Sequence, residues 1–205
     1  MCKSFTLLLI IFSLSFTGLH SQDYKYRRLH AERYSLPAVT VKTNLLYDLT
    51  TTINLGAEMY LSDYLTLDLS VSYNPWEFPD NRKFKHILVQ PELRYWIYEP
   101  FNGHYLGGHL LYSNYNTGNL HLPLDILPGL KDYRYRGNAY GLGFSYGYQW
   151  ILSNSWNLEA TFGFGYMYMD YSRYECKTCG KKLEDGSKHY FGPTRAGISL
   201  IYIIK

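Results

Sequence analysis

The sequence predicts an all-β protein, an eight-stranded antiparallel up-and-down transmembrane β-barrel, and three observations predict it. Aromatic residues make up 18% of the 205 residues, 23 of them tyrosine, and tyrosine suits pleated, half-buried surfaces. Successive segments alternate large apolar and small or polar residues with the period of a strand. Tight and long connections between these segments fall at alternate ends, the short-turn and long-loop pattern of outer-membrane barrels.

The N-terminus stands apart from the fold. Lys3 supplies a positive start, Phe5–Phe16 an apolar stretch, and Leu19–Ser21 a cleavage site ahead of Gln22, the pattern of a secretory signal peptide. The apolar run is short of the roughly 18 residues expected of a spanning helix, and Cys2 precedes it, so no lipoprotein anchor is indicated. Residues 1–21 are therefore read as signal peptide, 22–37 as an N-terminal periplasmic segment and 38–205 as the barrel.

The first strand sets Val39, Val41, Thr43, Leu45 and Tyr47 against Thr40, Lys42 and Asn44, and the second sets Ile53, Leu55, Ala57, Met59 and Leu61 against Asn54, Gly56, Glu58 and Tyr60. The third has the cleanest alternation, with Leu65, Leu67, Leu69, Val71 and Tyr73 against Thr66, Asp68, Ser70, Ser72 and Asn74. The fourth opposes Ile87, Val89, Pro91, Leu93 and Tyr95 to Leu88, Gln90, Glu92, Arg94 and Trp96. Pro91 donates no ladder hydrogen bond, so a bulge is expected there. The fifth, His104–Asn116, is ambiguous in phase, with Leu106, Leu110 and Tyr112 on one side and His109 and Ser113 on the other.

The sixth, "YGLGFSYGYQW" from Tyr140 to Trp150, carries bulk at even positions and mainly Gly141, Gly143, Ser145 and Gly147 at odd ones. Glycine weakens a strand, so these positions are expected to leave room for long Lys, Arg and Glu side chains of neighbouring strands. The seventh sets Trp156, Leu158, Ala160, Phe162, Phe164, Tyr166 and Tyr168 against Asn157, Glu159, Thr161, Gly163 and Gly165. The eighth sets Thr194, Ala196, Ile198, Leu200, Tyr202 and Ile204 against Arg195, Gly197 and Ser199.

Links at 62–64, 99–103 and 153–155 are tight, those at 75–85, 117–136 and 172–188 are long, and only the first hairpin, 48–52, departs from the rule. Alternation alone fits a soluble barrel as well as a membrane barrel. The apolar set takes the lipid side because aromatics (Tyr47, Tyr73, Tyr95, Tyr148, Trp150, Trp156, Tyr202) gather at its strand ends as interfacial girdles do. Glycines and charges of both signs share the other set.

On that inner face lie Lys42, Arg94 and Arg195 with Glu58, Asp68, Glu92 and Glu159. Eight strands enclose a space only wide enough for side chains, so these charges are expected to pair and plug it, leaving no solute pore. A carboxylate dyad or proton path has the right residue types but no local motif. "ECKTCG" at Glu175–Gly180 brings Cys176 near Cys179, with His189 beyond. A disulfide suits an exported protein; zinc would need four ligands where three are visible, and free thiols are the third alternative. The long loops are basic, with Arg82, Lys83 and Lys85, then Lys131, Arg134 and Arg136, then Arg173, Lys177, Lys181, Lys182 and Lys188. Such clusters suit lipid phosphates or surface glycans, and equally a solvated loop. A net charge of +3 is too mild to indicate nucleic acid, and no catalytic triad or nucleophile elbow is present.

"VKTNLLYDLTTTINLGAE" (Val41–Glu58), "LDLSVSYNPWEF" (Leu67–Phe78), "KHILVQPELRYW" (Lys85–Trp96) and "YFGPTRAGISLIYII" (Tyr190–Ile204) resemble a Bacteroidota outer-membrane barrel family of unknown function, related to the OmpA-type barrel. The resemblance covers essentially the whole chain after the signal peptide. It implies an eight-stranded barrel in the outer membrane and no catalytic residues. Some relatives look associated with fimbriae or carry a peptidoglycan-binding domain, and no such second domain is expected after Lys205. The final "LIYIIK" departs from the usual terminal phenylalanine, leaving Tyr202 as the aromatic anchor.

The expectation is a non-enzymatic barrel of a Gram-negative outer membrane, exported by a cleaved signal peptide, without cofactor. It would present its loops for envelope integrity, adhesion or docking, touching membrane lipid, lipopolysaccharide and a surface protein or fimbrial component. The alternatives are a lipid-modifying enzyme using His104, His109, Ser113 or His189, and a small-solute channel.

Overall fold

The computed structural model describes residues 39–78, 82–118, 133–175 and 180–204. The expected signal peptide and periplasmic segment, Lys131, Lys177, Cys176 and Cys179 lie outside the described residues. In order the elements are β1 (Val39–Asn44), α1 (Leu45–Leu49), β2 (Ile53–Ser62), β3 (Leu65–Asn74), β4 (Glu77–Phe78), β5 (Arg82–Trp96), β6 (Gly103–Gly118), β7 (Tyr133–Ile151), β8 (Trp156–Glu175) and β9 (Lys182–Ile204).

Each long strand pairs antiparallel with the next, β3 with β5 across the two-residue β4, and β9 returns to β1. Eight strands therefore close into an up-and-down ring, which removes the open edges that a flat sheet would expose. The ring is strongly staggered. A walk along paired residues from Val39 passes Met59, Leu67, Leu93, Gly108, Phe144 and Phe164 and arrives at Pro193. The β9 residues that pair with β1 are Ser199–Ile204, far from Pro193.

Period-two alternation gives the ring two contrasting faces. Leu55, Leu69, Leu142 and Phe144 stand exposed on the outside, while Lys42, Asp68, Glu92 and Arg94 are buried within. One end of the interior is closed by Trp96, Phe101, Tyr105, Ile201 and Ile203, all nearly or fully buried. Trp96 lies 4.9 Å from the Tyr105 ring and 6.1 Å from that of Phe101.

Four details differ from the sequence reading. The first strand stops at Asn44, whose side-chain oxygen accepts from Leu46 N–H and caps α1. The same side chain bonds Ala196 O at 3.2 Å and Ile198 N–H at 3.3 Å, extending the β9 ladder where β1 has ended. The turn carries Tyr47 away from the outer aromatic set to line a small polar hollow beside Lys42 and Arg195.

Second, Pro91 causes no bulge. Val89 still pairs with Tyr112 and Glu92 with His109, and Pro91 sits opposite Leu69. A bulge lies in β9 instead: Gly163 faces Arg195 and Phe164 faces Pro193, leaving Thr194 as the extra residue. Third, Thr194 consequently leaves the outward set. Its hydroxyl bonds His109 Nε2 at 2.9 Å and its carbonyl accepts from Gln90 Nε2 at 3.0 Å.

Fourth, β7, β8 and β9 run well into stretches expected to be loops. Apolar alternation has ended there, but cross-strand pairs continue the ladder. Arg134 lies 4.8 Å over the Tyr174 ring, Arg173 4.4 Å over that of Tyr133, and Ser172 donates to Asp185. Arg134, Arg136, Arg173, Lys182 and Lys188 are thus strand residues rather than loop residues, and so are Arg82, Lys83 and Lys85, which open β5.

Candidate functional site

Pairing brings Lys42, Glu58, Asp68, Glu92, Arg94, Glu159 and Arg195 onto the inner face of neighbouring strands, where all are buried. The stagger stacks them into one cluster around Arg94. Its guanidinium reaches Glu58 at 2.7 Å, Glu159 at 2.6 Å and Glu92 at 2.9 Å. Lys42 Nζ meets Asp68 at 2.5 Å and Glu58 at 3.0 Å, and Arg195 joins Asp68 at 2.7 Å and Glu92 at 3.4 Å. Three cations thus face four carboxylates.

Neutral partners complete the network. Thr66 donates to Glu58 at 2.6 Å and accepts from Trp96 Nε1 at 2.9 Å. Ser145 bonds Glu92, and Arg94 lies 4.4 Å over the Tyr105 ring. Such a network need not stabilise the fold more than apolar packing would, but removing one member leaves an uncompensated buried charge. Its chemistry is that of a plug, with multiply bonded carboxylates and a guanidinium stacked on a ring.

The inner glycines admit this filling only partly as the sequence suggested. A Cβ at Gly56 would stand 2.8 Å from Lys42 Cγ, and one at Gly107 would meet Glu92, so charged chains do use glycine space. At Gly147, however, the occupant is the Tyr105 ring, and at Gly143 a Cβ would be 2.9 Å from the His109 ring. Aromatic rings share the interior with the charges, and Tyr105 shares the odd parity of His109 and Ser113 that places it there.

The remaining candidates do not gather. His104 faces out and bonds the Tyr146 hydroxyl at 2.6 Å, and His189 faces out and bonds Tyr166. His109 points in toward Thr194, and Ser113 lines a separate hollow higher on the inner wall. Lys85 pairs with Glu77 at 2.7 Å, and Lys182 with Asp185 at 2.7 Å. Asp185, on the β9 extension, is held below the usual carboxylate range by hydrogen bonds from Lys182 and Ser172.

A feature the sequence reading missed lies at the mouth of the ring. Leu111, Tyr115, Tyr135, Ala139 and Met169 are buried together on the inner side of β6, β7 and β8, with Leu88 and Met167 packed against them. Leu88, Leu111, Tyr115, Ala139, Met167 and Met169 line part of a hollow of about 230 Å³. Ala139 and Met169 lie just past the strand ends read from the sequence, and extending the odd-position parity beyond Tyr140 and Tyr168 would have exposed this apolar patch.

Residues 7–204 match the family model described as protein of unknown function (DUF3575). No curated protein and no solved structure matches the chain.

Proposed function

The chain belongs to the DUF3575 family of proteins of unknown function, and we propose that it is a non-enzymatic outer-membrane β-barrel with a sealed interior, holding strand extensions and loops at the cell surface for docking or envelope integrity. The observation that carries this reading is the inverted polarity of the ring. Phe144 is 77% exposed and Leu55 65%, whereas Arg94, Asp68 and Glu159 are 0% exposed.

A water-soluble ring would bury the first set and solvate the second. An outer belt of this extent is an interface for something apolar, and lipid fits its aromatic flanks, including Tyr73, Tyr95, Trp156 and Tyr202. No helix among the described residues is long and apolar enough to cross a membrane, so crossing would rest on the strands. The filled interior and aromatic floor favour an anchor over a conduit.

The basic extensions, with Arg134, Arg136 and Lys182, and Lys181 beside them, suit lipopolysaccharide phosphates or an acidic surface partner such as a fimbrial component. The lipid-modifying alternative gains no support from His104, His109, Ser113 and His189, which divide between the two faces. Heat-modifiable migration on unboiled gels, with recovery in the outer-membrane fraction, is the expected result. Recovery as a soluble periplasmic protein would overturn the reading.

A further inference from the structure

The apolar hollow at the mouth of the ring has no partner within the described wall. It is carried by β5, β6, β7 and β8, with Leu88, Leu111, Ala139, Met167 and Met169 supplying most of its apolar surface and His86, Ser113, Tyr115 and Thr117 its few polar groups. At about 230 Å³ it exceeds the roughly 150 Å³ cavity that stays dry and admits benzene. No ionised carboxylate, lysine or arginine lines it, so it selects against a charged peptide and for a hydrocarbon.

The wall facing it is low. β1 has 6 residues, and β9 has 23. Six residues rise only about 20 Å along a strand, less along the axis of tilted strands, and the apolar band of a membrane barrel is about 25 Å tall. β1 pairs with β9 only as far as Asn44 and Ser199, so the part of β9 leading back toward Lys182 has no β1 residue beside it. Into this notch the chain places α1, whose Leu45, Leu46 and Leu49 are exposed, Leu49 at 82%. The apolar outside is thereby continued up to the low wall, and a chain crossing it would pass the uncharged polar side chains of Asn44, Asn54 and Ser72 on the inner side before reaching the apolar hollow.

We propose that the hollow receives one acyl chain of a membrane lipid, entering from the outer leaflet over β1, α1 and β2. This rests on the membrane reading proposed above and adds a site to it. The chain would lie against Met167 and Met169 and stop above the layer of Gln90, His109 and Thr194, whose mutual hydrogen bonds begin the polar interior. Methionine suits such a site because its flexible, polarisable side chain adapts to a mobile hydrocarbon.

The test uses the full chain in nanodiscs of phosphatidylcholine doped with a phospholipid carrying a diazirine midway along its acyl chain. After irradiation, mass spectrometry maps the labelled residues. Labelling of inward Met167 and Met169 as well as outward Leu142 and Phe164 is expected. Ala139→Trp, or Ser113→Trp should the first variant lose heat-modifiable migration, is expected to cut the inward labelling at least tenfold and leave the outward labelling unchanged. Outward labelling without inward labelling overturns the acyl-chain site and leaves the membrane reading standing. Inward labelling that survives a folded tryptophan variant also overturns the site, and absence of both labels overturns the membrane reading together with it.

Discussion

Arg94→Met removes the hub of the interior at little cost in volume. Arg94 is 0% exposed and lies within 2.6–2.9 Å of Glu58, Glu92 and Glu159. The variant leaves Lys42 and Arg195 to face four carboxylates, and breaking a buried network in this way costs about 3–5 kcal/mol. With a urea dependence of about 2 kcal/mol per molar, the unfolding midpoint should fall by about 2 M. Protein folded into phosphatidylcholine vesicles, with the fraction of heat-modifiable band followed against urea, provides the measurement. Glu159→Gln added to Arg94→Met should recover about half the loss, because it removes one of the carboxylates left unpaired. A midpoint change under about 0.5 M, roughly 1 kcal/mol, would refute the assignment of Arg94 as the hub.

Other consequences are open to direct measurement. Gly147→Leu places its side chain in the space of the Tyr105 ring and should abolish heat-modifiable migration, while Gly147→Leu with Tyr105→Ala should regain part of it; normal folding of the single variant would show that the glycine makes no such room. Asp185 is hydrogen-bonded by Lys182 and Ser172, which depress its pKa, so its small stabilising contribution is present above the unfolded value near 3.9 and fades as pH falls through the folded one. An NMR titration of Asp185 should give a midpoint below that value, shifted upward in Lys182→Ala; an unchanged midpoint would contradict the pairing. Planar bilayers should show no steady ionic conductance from the wild-type chain, and open-channel steps would contradict a plugged interior.

Much of the architecture was legible because period-two alternation is a local signal. Leu67, Leu69 and Val71 face out and Asp68, Ser70 and Ser72 face in, as the bare pattern implied. Departures occur where non-local contacts decide. Asn44 ends β1 by capping a helix and bonding β9, a choice that depends on residues 152 and 154 positions away. Thr194 turns inward because a bulge beside Pro193 changes parity, whereas Pro91 keeps its register. The charged residues could be assigned to one face from sequence, but their convergence on Arg94 follows from the stagger, which no single strand reveals. Tyr105 and the apolar patch around Met169 follow the inward parity of their strands, but their bulk and apolarity run against the polar inner face that the charged positions imply.

The most direct test of the central claim asks which face of β7 meets lipid. Spin labels placed singly at positions 140–147, in a chain with Cys176→Ser and Cys179→Ser and reconstituted in phosphatidylcholine, would be assayed for collision with oxygen, which concentrates in lipid, and with a water-soluble nickel chelate. High oxygen accessibility at Tyr140, Leu142, Phe144 and Tyr146, with low accessibility to both reagents at the intervening odd positions, is the predicted result. High nickel accessibility at those even positions would contradict the account, because it would place the apolar belt in water.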